Sequence, residues 1–242
     1  QEWGLTCKEL MPNVSEHNIS NLNEVNEIKF NSNKVMELRC QIKEDDFTDE
    51  ASKAFDYEFD GIIKTHLITM NRNKLFDDDY QFNIGIIVGP SGSGKSSTAQ
   101  HYFKEPDTIK WSDNEPIFAH FNDLMDCIEK LECVNLPICI GLNKYNNLST
   151  GQKERINIAR KLNKNNTGFI VIDEYTSFID RNTALYVTKN IYQYVIRNKV
   201  KNVVLISCHR DIIDGDYIKP DWILDTQHQS IKYYKPIHNI NK

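Results

Sequence analysis

The chain has 242 residues, 40% hydrophobic and 26% charged, with a net charge of −5. That length buries one sizeable core, at the upper end of what a single domain holds, and the mild acidity excludes a whole-molecule pull toward nucleic acid or anionic lipid. The longest apolar runs, such as Ile84–Val88 and Val203–Ile206, are strand-sized and too short to span a bilayer.

No signal-peptide pattern opens the chain, and with Gln rather than Met at residue 1 the start leaves room for an upstream domain. Residues 1–40 are rich in Asn, Glu and Lys and only weakly periodic; within them Val35–Ile42 reads as a strand, the rest as loop or short helix. Residues 44–60 set eight acids against Lys53 alone and read as a solvated acidic face. Gly61–Met70 reads as a second strand. From Phe82 the pattern sharpens into an apolar strand to Val88, a glycine-rich turn and a helix from about Lys95 to Phe103. Helical stretches follow around Asn122–Cys133, with Pro116 and Pro137 as breaks. Then come a helix over Gly151–Leu162, a strand over Phe169–Ile172, a helix over Thr183–Arg197 and a strand over Val203–Ser207. Strands alternating with helices predict βαβ units and a mainly parallel sheet flanked by helices, an α/β fold. The cysteines (Cys7, Cys40, Cys127, Cys133, Cys139, Cys208) form no CxxC pair, and the six-residue spacing of the middle three fits neither a zinc site nor one helix face. They read as reduced thiols in a cytoplasmic protein.

The strongest local signal is Gly89-Pro90-Ser91-Gly92-Ser93-Gly94-Lys95-Ser96, continued by Ser97. It fits GxxxxGK[ST] and stands between a buried strand and a helix, where that phosphate-cradling loop must stand. The glycines let the backbone curl so that successive N–H groups face phosphate oxygens, and the helix N-terminus adds its positive dipole end. Lys95 is placed to reach the β- and γ-phosphates, and the Ser96 hydroxyl to ligate Mg²⁺. Some eighty residues on, the apolar strand Phe169-Ile170-Val171-Ile172 ends in Asp173-Glu174. Such a strand delivers acids to the carboxyl edge of the sheet, where ligands bind. Asp173 is the candidate Mg²⁺ carboxylate and Glu174 the candidate base for the attacking water.

These motifs define a P-loop nucleotidase without saying which. Leu148-Ser149-Thr150-Gly151-Gln152, running on into Lys153-Glu154-Arg155, resembles the LSGGQ signature of ABC ATPases, with Thr150 in place of the first glycine. Thr176-Ser177-Phe178-Ile179-Asp180 looks like the family's D-loop, and Ser207-Cys208-His209 like its switch histidine. The resemblance implies that Ser149 and Gly151 contact the γ-phosphate of ATP held by a second protomer, that Gln152 and Asp180 are nucleotide-binding residues, and that His209 meets the γ-phosphate. It also implies ATP and Mg²⁺ as cofactors and a homodimer enclosing two ATP sites. Of Phe55, Tyr57 and Phe59, which lie where the adenine-stacking aromatic is expected, Phe59 is preferred.

The chain departs from the family in two places. No Gln occurs between His101 and Asn147, so the Q-loop glutamine is missing, with Asn114 or Asn122 as substitutes; and the helical insert is only about half the length of that in transporter ATPases. The short insert, LSTGQ and the tail Pro220-Asp221-Trp222-Ile223-Leu224-Asp225 look most like the soluble ABC-type ATPases sometimes fused to a predicted acetyltransferase, although no acetyl-CoA loop is present. The expected organisation is one ABC-type domain over 1–242: an N-terminal antiparallel β part on the adenine side (1–80), a core (82–103 and 163–242), and a short helical insert with the signature (104–162). The expected function is a soluble ATP-driven dimeric switch or clamp, with a possible soluble protein partner, no direct nucleic-acid signal and no membrane segment. A transporter ATPase subunit and an ATP-sensing module with little turnover are the alternatives.

Overall fold

The computed structural model describes residues 26–29, 35–68, 81–104, 109–165 and 167–234. Strands β1 (Asn26–Lys29), β4 (Ile84–Val88), β5 (Ile170–Ile172), β6 (Val203–Ser207), β7 (Trp222–Asp225) and β8 (Ser230–Tyr233) form one sheet in the order β1-β8-β7-β4-β6-β5. The run β7-β4-β6-β5 is parallel, and β8 and β1 close one side antiparallel. Strands β2 (Val35–Gln41) and β3 (Ile62–Ile68) pair antiparallel as a separate two-stranded sheet, the expected N-terminal β part. Helix α1 (Asp46–Ala54) lies between them.

Because strand side chains alternate between faces, β4 divides its apolar run between two cores. Ile84, Ile86 and Val88 point into the larger one, with Leu131 of α3 (Leu124–Cys133), Ile156 of α4 (Thr150–Lys161) and Val187 and Ile191 of α5 (Arg181–Arg197). Ile87 points into the other, with Ala99 of α2 (Lys95–Tyr102), Phe103, Trp222 and Val204. Every residue of β4 and β6 is buried, as continuous apolar runs covered by helices on both faces require. Gly85 pairs with Trp222, whose indole lies across the space a side chain at 85 would occupy.

The acidic stretch contains α1, a helix that buries none of its residues. Its start is fixed by a reciprocal capping box: Asp45 Oδ1 accepts the Thr48 N–H (2.9 Å) and Thr48 Oγ1 accepts the Asp45 N–H (2.8 Å). The two prolines expected to interrupt helices instead begin 3₁₀ turns, Pro116 before Ile117–His120 and Pro137 before Ile138–Leu142, because their fixed φ (−68° and −66°) suits an extended cap residue.

The insert is held to the signature helix by a polar-aromatic stack. Trp111 lies parallel on Tyr145 (4.9 Å, 6°) with the Arg160 guanidinium over the indole (4.5 Å), and its indole N–H donates to Asn157. Within α3, Lys130 and Asp126 form a buried ion pair (3.0 Å). Cys127 and Cys133 are buried free thiols, both pushed up to about 12 by burial, and Cys139 is an exposed free thiol; among the described residues no His/Cys/Asp/Glu group suited to a metal ion occurs.

Candidate nucleotide site

Four parallel strands end at one edge of the sheet, and the elements that follow them carry the candidate chemistry side by side. In sheet order these are Thr226 after β7, the phosphate loop after β4, His209 after β6, and Asp173-Glu174 after β5. Beyond β4 the backbone curls within a few residues: Gly92 and Gly94 take φ of +76° and +80°, and Gly94 is the cap from which α2 starts. Only a residue without Cβ adopts such a pair of left-handed positions without strain. The first turn of α2 therefore opens toward the loop with its N–H groups, an anion-attracting arrangement.

Lys95 is almost fully buried, and its ammonium donates to the Pro90 carbonyl (2.9 Å), which also accepts the Ser93 N–H (3.2 Å). Ser96 and Asp173 line one cavity of about 500 Å³, together with Gln100 and Lys104. The two candidate metal-holding groups, 77 positions apart in sequence, thus share a space. Glu174 is half-buried and sits at φ +46°, a left-handed conformation a non-glycine residue holds only at some cost. The turn after it is closed by Ser177 N–H to the Glu174 carbonyl (2.9 Å). Thr176 and Ser207 share a buried hydroxyl–hydroxyl bond (2.9 Å), and Ser207 Oγ accepts the His209 N–H (3.0 Å). The Asp-Glu turn and the histidine segment are therefore tied through two short side chains. Partial desolvation, reinforced by Arg181, moves the His209 imidazole below its ordinary range.

At the signature, Ser149 is the cap of α4: its Oγ accepts the Gln152 N–H (3.3 Å), while Gln152 Oε1 accepts the Ser149 N–H (3.0 Å). Gly151 is required by a close approach, since a Cβ there would lie 2.9 Å from the Phe178 carbonyl. The Thr176–Asp180 loop is thus packed on the start of α4. Asp180 caps α5 by accepting the Thr183 N–H (3.0 Å), and hydrogen bonds from Thr183 hold its carboxyl below the usual carboxylate range.

Other expected residues stand elsewhere. Phe59 is half-buried on the segment between α1 and β3, in a concavity of about 1270 Å³ lined by acids such as Asp49 and Asp56 and by no residue of the phosphate loop. Phe55 and Tyr57 are exposed. Asn122 is turned onto Asp126 (3.2 Å), and neither it nor Asn114 lines the cavity of Ser96 and Asp173. Sequence reasoning missed Thr226 and Asp225, which touch the phosphate loop and the histidine segment respectively; a buried acid ending a short apolar strand was the available signal.

With this sheet topology, phosphate loop and pair of strand-end acids, the chain has a P-loop fold of the kind found in ABC-type ATP-binding cassettes. It is 27% identical over 195 residues to the probable peptide export ATP-binding protein YydI of Bacillus subtilis (strain 168), covering 69% of this chain and 89% of that protein. No family model matches the chain. Among solved structures it is similar to MJ0796, a bacterial ABC transporter cassette in dimeric form, with a TM-score of 0.48 and 17% identity over 69% of this chain and 88% of that one. The post-hydrolysis form of that cassette, bound to ADP and Pi, gives 0.48 and 16% over 74% and 95%.

The residues present fit a Mg²⁺-nucleotide. A side chain at Gly92 would meet nothing within 4 Å, so the loop's backbone is open on that side, and the donor set of loop amides, helix amides and Lys95 suits phosphate oxygens. Hydroxyl and carboxylate oxygens from Ser96 and Asp173 suit a hard cation that keeps most of its remaining ligands as water and phosphate.

Proposed function

We propose that the chain is an ATP-driven switch that closes as a head-to-tail dimer around two Mg²⁺-ATP molecules, using Gly89–Ser97 as the phosphate cradle. The observation that carries this reading is the shared cavity of Ser96 and Asp173 beside the loop, with Glu174 next along the same turn. A bound Mg²⁺ would neutralise developing phosphate charge there. Lys95 and the α2 amides would hold the phosphates, Ser96 and Asp173 would hold the cation, Glu174 would orient and deprotonate the attacking water, and His209 would offer a hydrogen bond to a phosphate oxygen. Ser149 and Gly151 line no part of that cavity, which supports their use across an interface with the partner.

What the switch drives has two readings. A soluble client fits the short insert and the missing Q-loop glutamine. A specific observation favours export: Leu124, Met125, Ile138 and Leu142 of the insert are exposed apolar side chains, and YydI is described as a peptide export ATP-binding protein. Glu174→Gln tests the hydrolytic assignment, because it keeps size and hydrogen bonding but removes the base. Phosphate release should fall by about 10²–10⁴ while nucleotide affinity stays within a few-fold; turnover at the wild-type rate would remove Glu174 from this role.

A further inference from the structure

The turn after β7 reaches into the phosphate loop. Thr226 N–H donates to the carbonyl of Val88, the last residue of β4 (2.9 Å), which extends the β4–β7 pairing by one residue. The same carbonyl accepts the Thr226 hydroxyl (3.1 Å), and Thr226 Oγ1 lies 2.6 Å from Ser93 Oγ. A hydroxyl has one proton to give. With the Thr226 proton on Val88, Ser93 is the donor in the second bond; with it on Ser93, the two hydroxyls are joined all the same. The Ser93 hydroxyl is therefore tied to Thr226 and its backbone N–H to the Pro90 carbonyl (3.2 Å), so both polar groups of Ser93 hold the curl of the loop. The fit is close: a Cβ at Gly89 would lie 1.9 Å from Thr226 Oγ1.

The turn that carries Thr226 is itself braced. Asp225, nearly fully buried, accepts the N–H groups of Gln227 and His228 (both 3.0 Å), the His228 ring (Nδ1, 2.7 Å) and the Arg210 guanidinium (2.7 Å). Arg210 follows His209 directly. Burial raises the Asp225 carboxyl, but the hydrogen bonds from His228 and Arg210 outweigh it and hold it below the usual range. Asp225 is thus anionic and fixed, and Thr226 presents its hydroxyl from a turn anchored to the histidine segment.

We propose that Thr226 is a positioning residue for nucleotide binding: through the Ser93 hydroxyl it holds the middle of the phosphate loop in the curl that aims its amides at the phosphates. This inference rests on the phosphate-loop reading above. It predicts an effect on nucleotide affinity that depends on the hydroxyl and on Ser93 together, which a residue that merely packs would not show.

The test measures ATP affinity by fluorescence titration for four single variants and one double variant. Thr226→Val keeps the shape and removes the hydroxyl, and with it the bonds to the Val88 carbonyl and to Ser93; it should weaken ATP binding roughly five- to tenfold, the effect expected from losing the Ser93 bond alone. Thr226→Ser keeps the hydroxyl and should bind within twofold of wild type. Ser93→Ala, which breaks the same bond from the loop side, should match Thr226→Val, and the double variant should lose no more than either single. Should Thr226→Val fail to fold, Ser93→Ala against Thr226→Ser still decides the point. Lys95→Ala serves as the separate control. If it binds ATP normally, the phosphate-loop reading itself fails. If it loses binding while Thr226→Val and Ser93→Ala both bind like wild type, or their losses add in the double variant, the positioning role is wrong and the loop reading stands.

Discussion

The packing of β4 against β7 makes a demanding prediction at Gly85. Replacing it with Ala would place a Cβ 1.9 Å from Trp222 Cζ2 and 2.0 Å from Cε2. Carbon atoms pack best at about 3.5–4.0 Å, so the indole has to retreat by roughly 1.6 Å. It has little room to do so, being fully buried, stacked on Phe103 (5.5 Å, 16°) and met edge-on by Phe82 (5.3 Å, 76°). Overpacking of this kind costs about 1–3 kcal/mol, against a gain of roughly 0.5–1 kcal/mol for replacing Gly within a strand. The net expectation is a loss of about 1 kcal/mol, which for a domain of this size lowers the melting temperature by roughly 2–4 °C. Urea and thermal melts followed by circular dichroism measure it. Combining Gly85→Ala with Trp222→Leu should cost at least about 1 kcal/mol less than the sum of the singles, because the smaller side chain clears the clash. A Gly85→Ala protein as stable as wild type, or a double variant with additive losses, would refute the argument.

Asp126→Ala should destabilise by about 3–5 kcal/mol, since it strands the Lys130 ammonium in the insert's core; denaturant midpoints check this. The histidines give a pH dependence. Burial, aided by Arg160 at His120 and by Arg181 at His209, lowers both below 6.5, so their contribution to stability is present above 6.5 and is lost as pH falls through the depressed folded values. Melts across pH 5–8 should show that fall, and His120→Gln with His209→Gln should flatten it.

How much of this was legible in the sequence depended on locality. The IGIIV run, its glycine stop and the Lys95 helix are written within twenty consecutive residues, and the structure has them where the pattern predicts. Strand β6 was read to the residue because it is buried on both faces and therefore uniformly apolar. Strand β1 could not be read, for it is four residues of polar chain whose partner, β8, lies some two hundred positions away. Helix α1 was hidden for the opposite reason: it buries nothing, so it shows no apolar stripe, and its capping box Asp45–Thr48 was the only local sign. At the site, phosphate loop and strand-end acids were visible as motifs. The hydroxyl pairs Ser93–Thr226 and Thr176–Ser207 were not, because they join strand ends that only the sheet order brings together.

The central claim, that ATP closes two copies of this chain around paired sites, is tested most directly by the mass of the Glu174→Gln protein in solution. By light scattering it should have the mass of one chain without nucleotide and twice that mass with Mg²⁺-ATP, and a Ser149→Arg change added to it should restore the single-chain mass while ATP still binds. One unchanged mass with and without ATP would contradict the account.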